Sequence, residues 1–177
     1  RSEEMERFQQ FSTPLPMGLA ALAAAQITAR DLVLEPSAGT GLLAILAEIA
    51  GGSLMLNELA DTRADLLRRL FPGQLVTGFD AAQIDDHLDA VLRPSVILMN
   101  PPFSALANVD RRMADAALRH IASALARLCD GGRLVGLITG DHGHAEQRAA
   151  LIEGIIEESE DETLMERYLA GEDIDTT

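Results

Sequence analysis

Val33-Leu34-Glu35-Pro36-Ser37-Ala38-Gly39-Thr40-Gly41 is the stretch on which the reading of this 177-residue chain turns. An apolar run ends in an acid, passes through two glycines and enters a second apolar segment beginning near Leu42. A turn directly after a strand can pass beneath a ligand only where side chains are absent, and Gly39 and Gly41 supply that clearance. Position 44 is Ala, where a dinucleotide fingerprint would carry its third glycine, so a pyrophosphate ligand gains no support. No Gly-Lys-Ser/Thr phosphate loop follows.

Outward from this stretch, short apolar runs alternate with amphipathic ones, the pattern of a parallel sheet covered on both faces. Strands are expected near Leu32 to Glu35, Ser53 to Asn57, Gln74 to Thr77, Ser95 to Met99 and Arg133 to Ile138. Leu42, Ile45, Leu46 and Ile49 repeat at helical spacing, as do Ala114, Leu118, Ile121, Leu125 and Leu128. Gly51-Gly52 and Gly131-Gly132 are the stops. Arg111, Arg112, Arg119 and Arg127 fall off the second stripe and read as solvated. Thr13-Pro14 and Pro16 precede an Ala-rich stretch, Leu19 to Ile27, which reads as a turn entering a helix. The fold class expected is α/β, a Rossmann-like, doubly wound and mostly parallel sheet.

Val96-Ile97-Leu98-Met99 reads as a buried strand, and Asn100-Pro101-Pro102-Phe103 follows it directly. At a strand's carboxyl end these residues offer an amide oxygen, a carbonyl held by proline and an aromatic face, which suit a flat amine. Two acceptors on the hydrogens of a conjugated amine favour its pyramidalisation and stabilise the positive charge that grows on nitrogen during attack. The bland alternative is an ordinary Asn-Pro turn. Glu58, about twenty residues past the glycines at the end of the second strand, stands where a ribose-binding acid is required, or else caps the helix starting near Asp61. Gly78-Phe79-Asp80-Ala81 follows the third strand, and Asp80 is either a ligand acceptor or a cap.

These motifs, in this order, resemble the class I S-adenosylmethionine-dependent amino-methyltransferases, and among them the gamma-type adenine DNA methyltransferases. The resemblance implies S-adenosyl-L-methionine as cofactor and the exocyclic amine of adenine in DNA as substrate. It places Glu35, Pro36, Ser37, Ala38, Gly39 and Gly41 at the cofactor's amino-acid end, with Thr13 and Pro14 helping to hold its methionine moiety. Glu58 takes the ribose, and Phe79, Asp80 and Ala81 take the adenine. Asn100, Pro101, Pro102 and Phe103 become the catalytic loop, with Phe103 stacking on a flipped base. The run from about Phe8 to Thr139 is similar to the methylase part of strawberry notch-like methylase-helicase proteins, which implies a helicase region in the same longer chain. Related tetrapeptides also serve RNA bases and protein glutamine, and a catalytically silent cofactor-binding module is the rival from another class.

Two departures qualify the resemblance. No recognition domain is visible, and the strand pattern stops near Gly140, so the sheet reads as truncated after its fifth strand. The expected organisation is a methyltransferase domain over 1–140, its first 30 residues a helical motif, and an acidic helical tail over 141–177. Leu151 to Glu172 locally resembles a helical segment of elongation factor G, without any guanine-nucleotide motif.

The formal charge is −14, and Leu151 to Thr177 carries ten of the 28 acids against the single base Arg167. Upstream, eighteen acids face thirteen bases, which is not the footprint of a protein that grips duplex DNA unaided. All 14 basic residues are Arg. The lone Cys129 reads as a packed thiol, and His142 and His144, lacking a third spaced ligand, as loop residues rather than a metal site. His87 and His120 carry no signal. The absence of a secretory region, a long apolar span or a cysteine framework gives the expectation of a cytoplasmic protein without membrane contact.

Overall fold

The computed structural model describes residues 13–101 and 119–137. Five strands form one sheet: β1 (Leu32–Glu35), β2 (Ser53–Asn57), β3 (Leu75–Thr77), β4 (Val96–Met99) and β5 (Arg133–Gly136). Their order is β3-β2-β1-β4-β5 and every pairing is parallel. Parallel neighbours require crossovers, and helices supply them. α1 (Leu15–Ala25) precedes β1, α2 (Leu42–Ile49) joins β1 to β2, and α3 (Asp61–Leu70) joins β2 to β3. A 3₁₀ turn (Ala81–Gln83) leads into the short α4 (Ile84–His87), and residues 119–125 form α5 ahead of β5.

The four residues of β4 are all buried, as its continuous apolar run requires of a central parallel strand. Val33, Leu54, Leu56, Val96 and Leu98 point to one face, where they pack with Ala21 and Ala25 of α1, Leu43, Ala44 and Ala47 of α2, Leu67 of α3 and Phe71 just after it. Leu34, Met55, Ile97 and Met99 alternate onto the other face and are equally buried. At about 25 cal/mol per Å2 of apolar surface, each such side chain contributes roughly 1.5–3 kcal/mol.

Several details differ from the sequence reading. α1 begins at Leu15, four residues early, because Pro14 already holds the N-cap conformation and Pro16 is tolerated in the first turn. On α2 the buried stripe is Leu43, Ala44, Leu46 and Ala47, while Ile49 is 77% exposed. The position of α1 accounts for it: Gly18 lies against Leu42, Leu43 and Leu46, so α2 turns that side, and not Ile49, toward its neighbour. Arg127 is buried rather than solvated, its Nη2 donating to the carbonyls of Asp89 and Leu92. Cys129 is only half-buried.

At the amino ends of the strands, Asp31 ties four segments together. Its carboxylate accepts from Thr28 N at 2.7 Å, Thr28 Oγ1 at 2.9 Å, Ser95 Oγ at 2.8 Å and Arg133 Nη2 at 3.1 Å. Arg133 Nε also donates to the Ala25 carbonyl at 2.8 Å, which fastens the end of α1 to β5.

Candidate active site

The strand order reverses at β1, with β2 on one side and β4 on the other, and ligands of open parallel sheets bind at the carboxyl edge of such a switch. Glu35 is the last residue of β1 and Asn100 the first after β4. The glycine loop and the start of the Asn-Pro loop therefore leave neighbouring strands at the same edge.

In the glycine loop, Gly39 (φ 58°) and Gly41 (φ 87°) occupy left-handed conformations that carry little cost only for glycine. Gly41 N donates to Ala38 O at 2.8 Å and caps α2. Glu35 is 3% exposed, and its Oε2 is buried without a hydrogen-bond partner. Burial pushes its carboxyl well above the ordinary range; the Ala44 amide pulls the other way, and the neighbouring Glu58 adds to the rise. An orphaned acid at the foot of the loop is what a cationic amino group would satisfy.

Glu58 spends both oxygens on the backbone, accepting from Gly39 N at 2.8 Å and Ala60 N at 2.9 Å. It thereby fixes the glycine loop, and it does not cap α3, whose N-cap is Ala60. Asp80 Oδ1 accepts from Ala82 N at 3.0 Å, capping the 3₁₀ turn, and the residue remains exposed. Phe79 stacks on His87 with ring centres 4.7 Å apart, and Ala81, the first residue of the turn, is buried. Pro36 and Ala38 are buried, and Ser37 is half-buried.

Asn100 Nδ2 donates to Thr13 Oγ1 at 3.0 Å across 87 residues of sequence, so the Thr-Pro turn meets the Asn-Pro loop directly. Pro14 is exposed and Pro101 buried. Pro102, Phe103, His142, His144 and the Gly140 boundary lie outside the described residues.

Sequence reasoning missed three contributors. Asn57, 1% exposed at the end of β2, donates to Pro36 O at 2.8 Å and Phe79 O at 2.9 Å, and accepts from Thr77 Oγ1 and Phe79 N at 2.8 Å each. A polar residue closing a buried strand was the available signal. Arg63 Nη1 stands 3.6 Å from where a Cβ on Gly39 would lie, placing a cation beside the loop. His120, half-buried with an unpartnered Nδ1, is held below its usual pKa by burial, against the pull of Asp80 and with the help of Arg119. Among the described residues no group of three metal-ligating side chains occurs, and no helix is long and apolar enough to cross a membrane.

This geometry matches solved structures over most of the chain. TrmN from Thermus thermophilus superposes with a TM-score of 0.61 at 22% identity, covering 83% of this chain and 42% of that one. The chain has the Rossmann-like fold of the methyltransferases. CalS10, an amino pentose methyltransferase from Micromonospora echinaspora solved with S-adenosylmethionine bound, gives 0.56 at 16% identity over 80% of this chain and 58% of its own. KedS8, a sugar N-methyltransferase from Streptoalloteichus, gives 0.58 at 14% identity over 81% and 56%. This methyltransferase-fold chain thus spans roughly half the length of these structures. No protein-family profile matches it. A 30-residue stretch is 83% identical to the elongation factor G-like protein of Mycobacterium tuberculosis, amounting to 17% of this chain and 4% of that protein.

Proposed function

We propose that this chain is a methyltransferase that uses S-adenosyl-L-methionine to methylate the exocyclic amine of adenine in DNA. The observation that carries the reading is the convergence of Glu35, with its orphaned Oε2, and Asn100 on adjacent strand ends at the switch of the sheet. Two structural neighbours are named for methylating amino sugars or sugar nitrogens, which supports nitrogen as the acceptor.

The residues present fit the cofactor. Glu35 would hold its amino group, the left-handed Gly39 and Gly41 would leave room for its amino-acid end, and the Phe79–Asp80 turn would meet its adenine. When bound, the cofactor supplies an electrophilic methyl carbon whose sulfur takes the bonding pair as the methyl leaves. Asn100 Oδ1 and the Pro101 carbonyl accept from the substrate amine, directing its lone pair at the methyl and stabilising the charge left on nitrogen before its proton passes to solvent. Pro101 limits the backbone freedom lost in reaching that arrangement. No tuned acid or base is needed. The order of motifs, with the Thr-Pro turn first, favours DNA among possible acceptors, and a longer chain carrying a helicase region would supply the basic surface that the upstream charge lacks.

Transfer of tritiated methyl from the donor to DNA, RNA and protein, compared in one assay, tests the reading. DNA should be labelled at adenine N6, and Asn100→Ala should lower the rate at least about a hundredfold. Equal labelling by the variant removes Asn100 from the chemistry. Labelling of RNA or glutamine instead corrects the substrate, and donor binding with no transfer favours a silent module.

A further inference from the structure

We propose that Thr13 is a positioning residue for Asn100, its hydroxyl accepting from the side-chain amide so that Oδ1 is held toward the substrate amine; this rests on the methyl-transfer reading above. The contact is direct, at 3.0 Å. Its value follows from the chemistry of a primary amide, whose two ends are nearly the same shape and opposite in function. An amide turned the wrong way presents N–H to N–H and repels the amine it must orient. The terminal torsion of Asn has broad wells and does not choose between the two by itself. A partner fixed on the Nδ2 side does.

Both partners are pre-organised by the same device. Thr13 and Asn100 each immediately precede a proline, and a residue before proline is driven out of the helical region into extended backbone. Pro14 is itself extended (φ −64°, ψ 139°), and its carbonyl accepts from Met17 N at 3.0 Å and Gly18 N at 3.1 Å, so Thr13 is welded to the first turn of α1. That helix is seated where Gly18 meets Leu46, a site at which an added Cβ would lie 2.9 Å from Leu46 Cδ1. It is also held at its far end by Arg133 on Ala25. Asn100 extends from β4, the most deeply buried strand. The hydrogen bond therefore joins two anchored pieces, and little entropy remains to oppose it.

The resemblance drawn from sequence gives Thr13 a different task, holding the cofactor, and the two tasks separate in kinetics. If Thr13 acts through Asn100, Thr13→Val should lower kcat about tenfold while S-adenosylhomocysteine affinity by calorimetry stays within about twofold. Thr13→Ser, which keeps the acceptor, should recover most of the rate. In an Asn100→Ala background, Thr13→Val should have no further effect. A readout free of turnover accompanies these: in the 15N-labelled full chain, the Asn100 side-chain amide hydrogens should exchange slowly in the wild type and Thr13→Ser, and quickly in Thr13→Val. Unchanged amide exchange, an unchanged kcat, additivity with Asn100→Ala, or a loss confined to S-adenosylhomocysteine binding would each overturn the proposal. An amide that responds as expected in a protein that methylates no acceptor leaves the contact in place but refutes its catalytic use, along with the function proposed above.

Discussion

Asn57 and Glu35 are both buried polar side chains at strand ends, and they differ in whether their needs are met. Three bonds of the Asn57 amide reach the loops after β1 and β3 and the fourth reaches Thr77 at the end of β3, so a replacement of similar size strands several polar partners at once. Asn57→Leu should lower stability by about 2–4 kcal/mol in urea unfolding, whereas a value within a few tenths of wild type would mean that these loops hold without it. Glu35 is the reverse case, an acid whose folded form favours the proton because burial raises its pKa and Glu58 adds to that rise. Its ionisation therefore opposes folding as pH rises from the unfolded value toward the folded one. Glu35→Gln should raise the melting temperature of the ligand-free protein at about pH 8 and leave it unchanged at about pH 4. A cationic amino group at Oε2 should draw the proton off, so S-adenosylhomocysteine binding should release a proton and tighten with pH in the wild type. Calorimetry in buffers of differing ionisation enthalpy reads that proton, and its persistence in Glu35→Gln would assign it elsewhere.

Elements were legible in the sequence to the extent that local rules decided them. The five strands emerge within a few residues of their expected limits, because buried parallel strands are short apolar runs bounded by turn residues. Gly41 was readable for the same reason, and it carries a prediction. At φ 87° an added Cβ would lie 3.0 Å from both Leu67 Cδ2 and Phe71 Cε2, so Gly41→Ala combines backbone strain with a clash against α3. It should cost about 1–3 kcal/mol in denaturant, and should weaken S-adenosylhomocysteine binding more than that loss of stability explains if the loop is the ligand's seat. What sequence did not reveal was set by packing between elements. Ile45 and Ile49 look like core on a helical wheel, yet α1 crosses α2 on its Leu42, Leu43 and Leu46 side, where Gly18 admits the leucines, and both isoleucines are left exposed. Arg127 looks solvated until the Asp89 and Leu92 carbonyls are brought beside it. The Thr13–Asn100 bond spans 87 residues, and although both motifs were visible, their contact was not.

Across the whole molecule the two ends of the sheet treat protons in opposite ways. The carboxyl end keeps an acid whose needs are unmet, while the amino end has Asp31 saturated by donors from Thr28, Ser95 and Arg133. Burial alone would raise the Asp31 carboxyl, but the Ser95 and Thr28 hydrogen bonds and the Arg133 charge outweigh it, bringing the pKa from 3.8 to about 2. Between those values the unfolded chain binds the proton and the folded one does not, so stability climbs with pH through this window and its full contribution is present above it. Because the Arg133 side chain is 38% exposed, solvent screens part of the gain, and roughly 1–2 kcal/mol is the expected scale. Asp31→Asn should therefore unfold at lower urea concentration than wild type near pH 7, with the gap closing as acid approaches about pH 2. Four segments converge on this carboxylate, namely the turn after α1 and the starts of β1, β4 and β5, so its protonation should loosen the sheet's amino edge as a unit. Circular dichroism and amide exchange at Leu32, Val96 and Arg133 would report that loosening together. Parallel acid titrations of variant and wild type, with no closing gap, would show that the edge is held by its apolar strands alone.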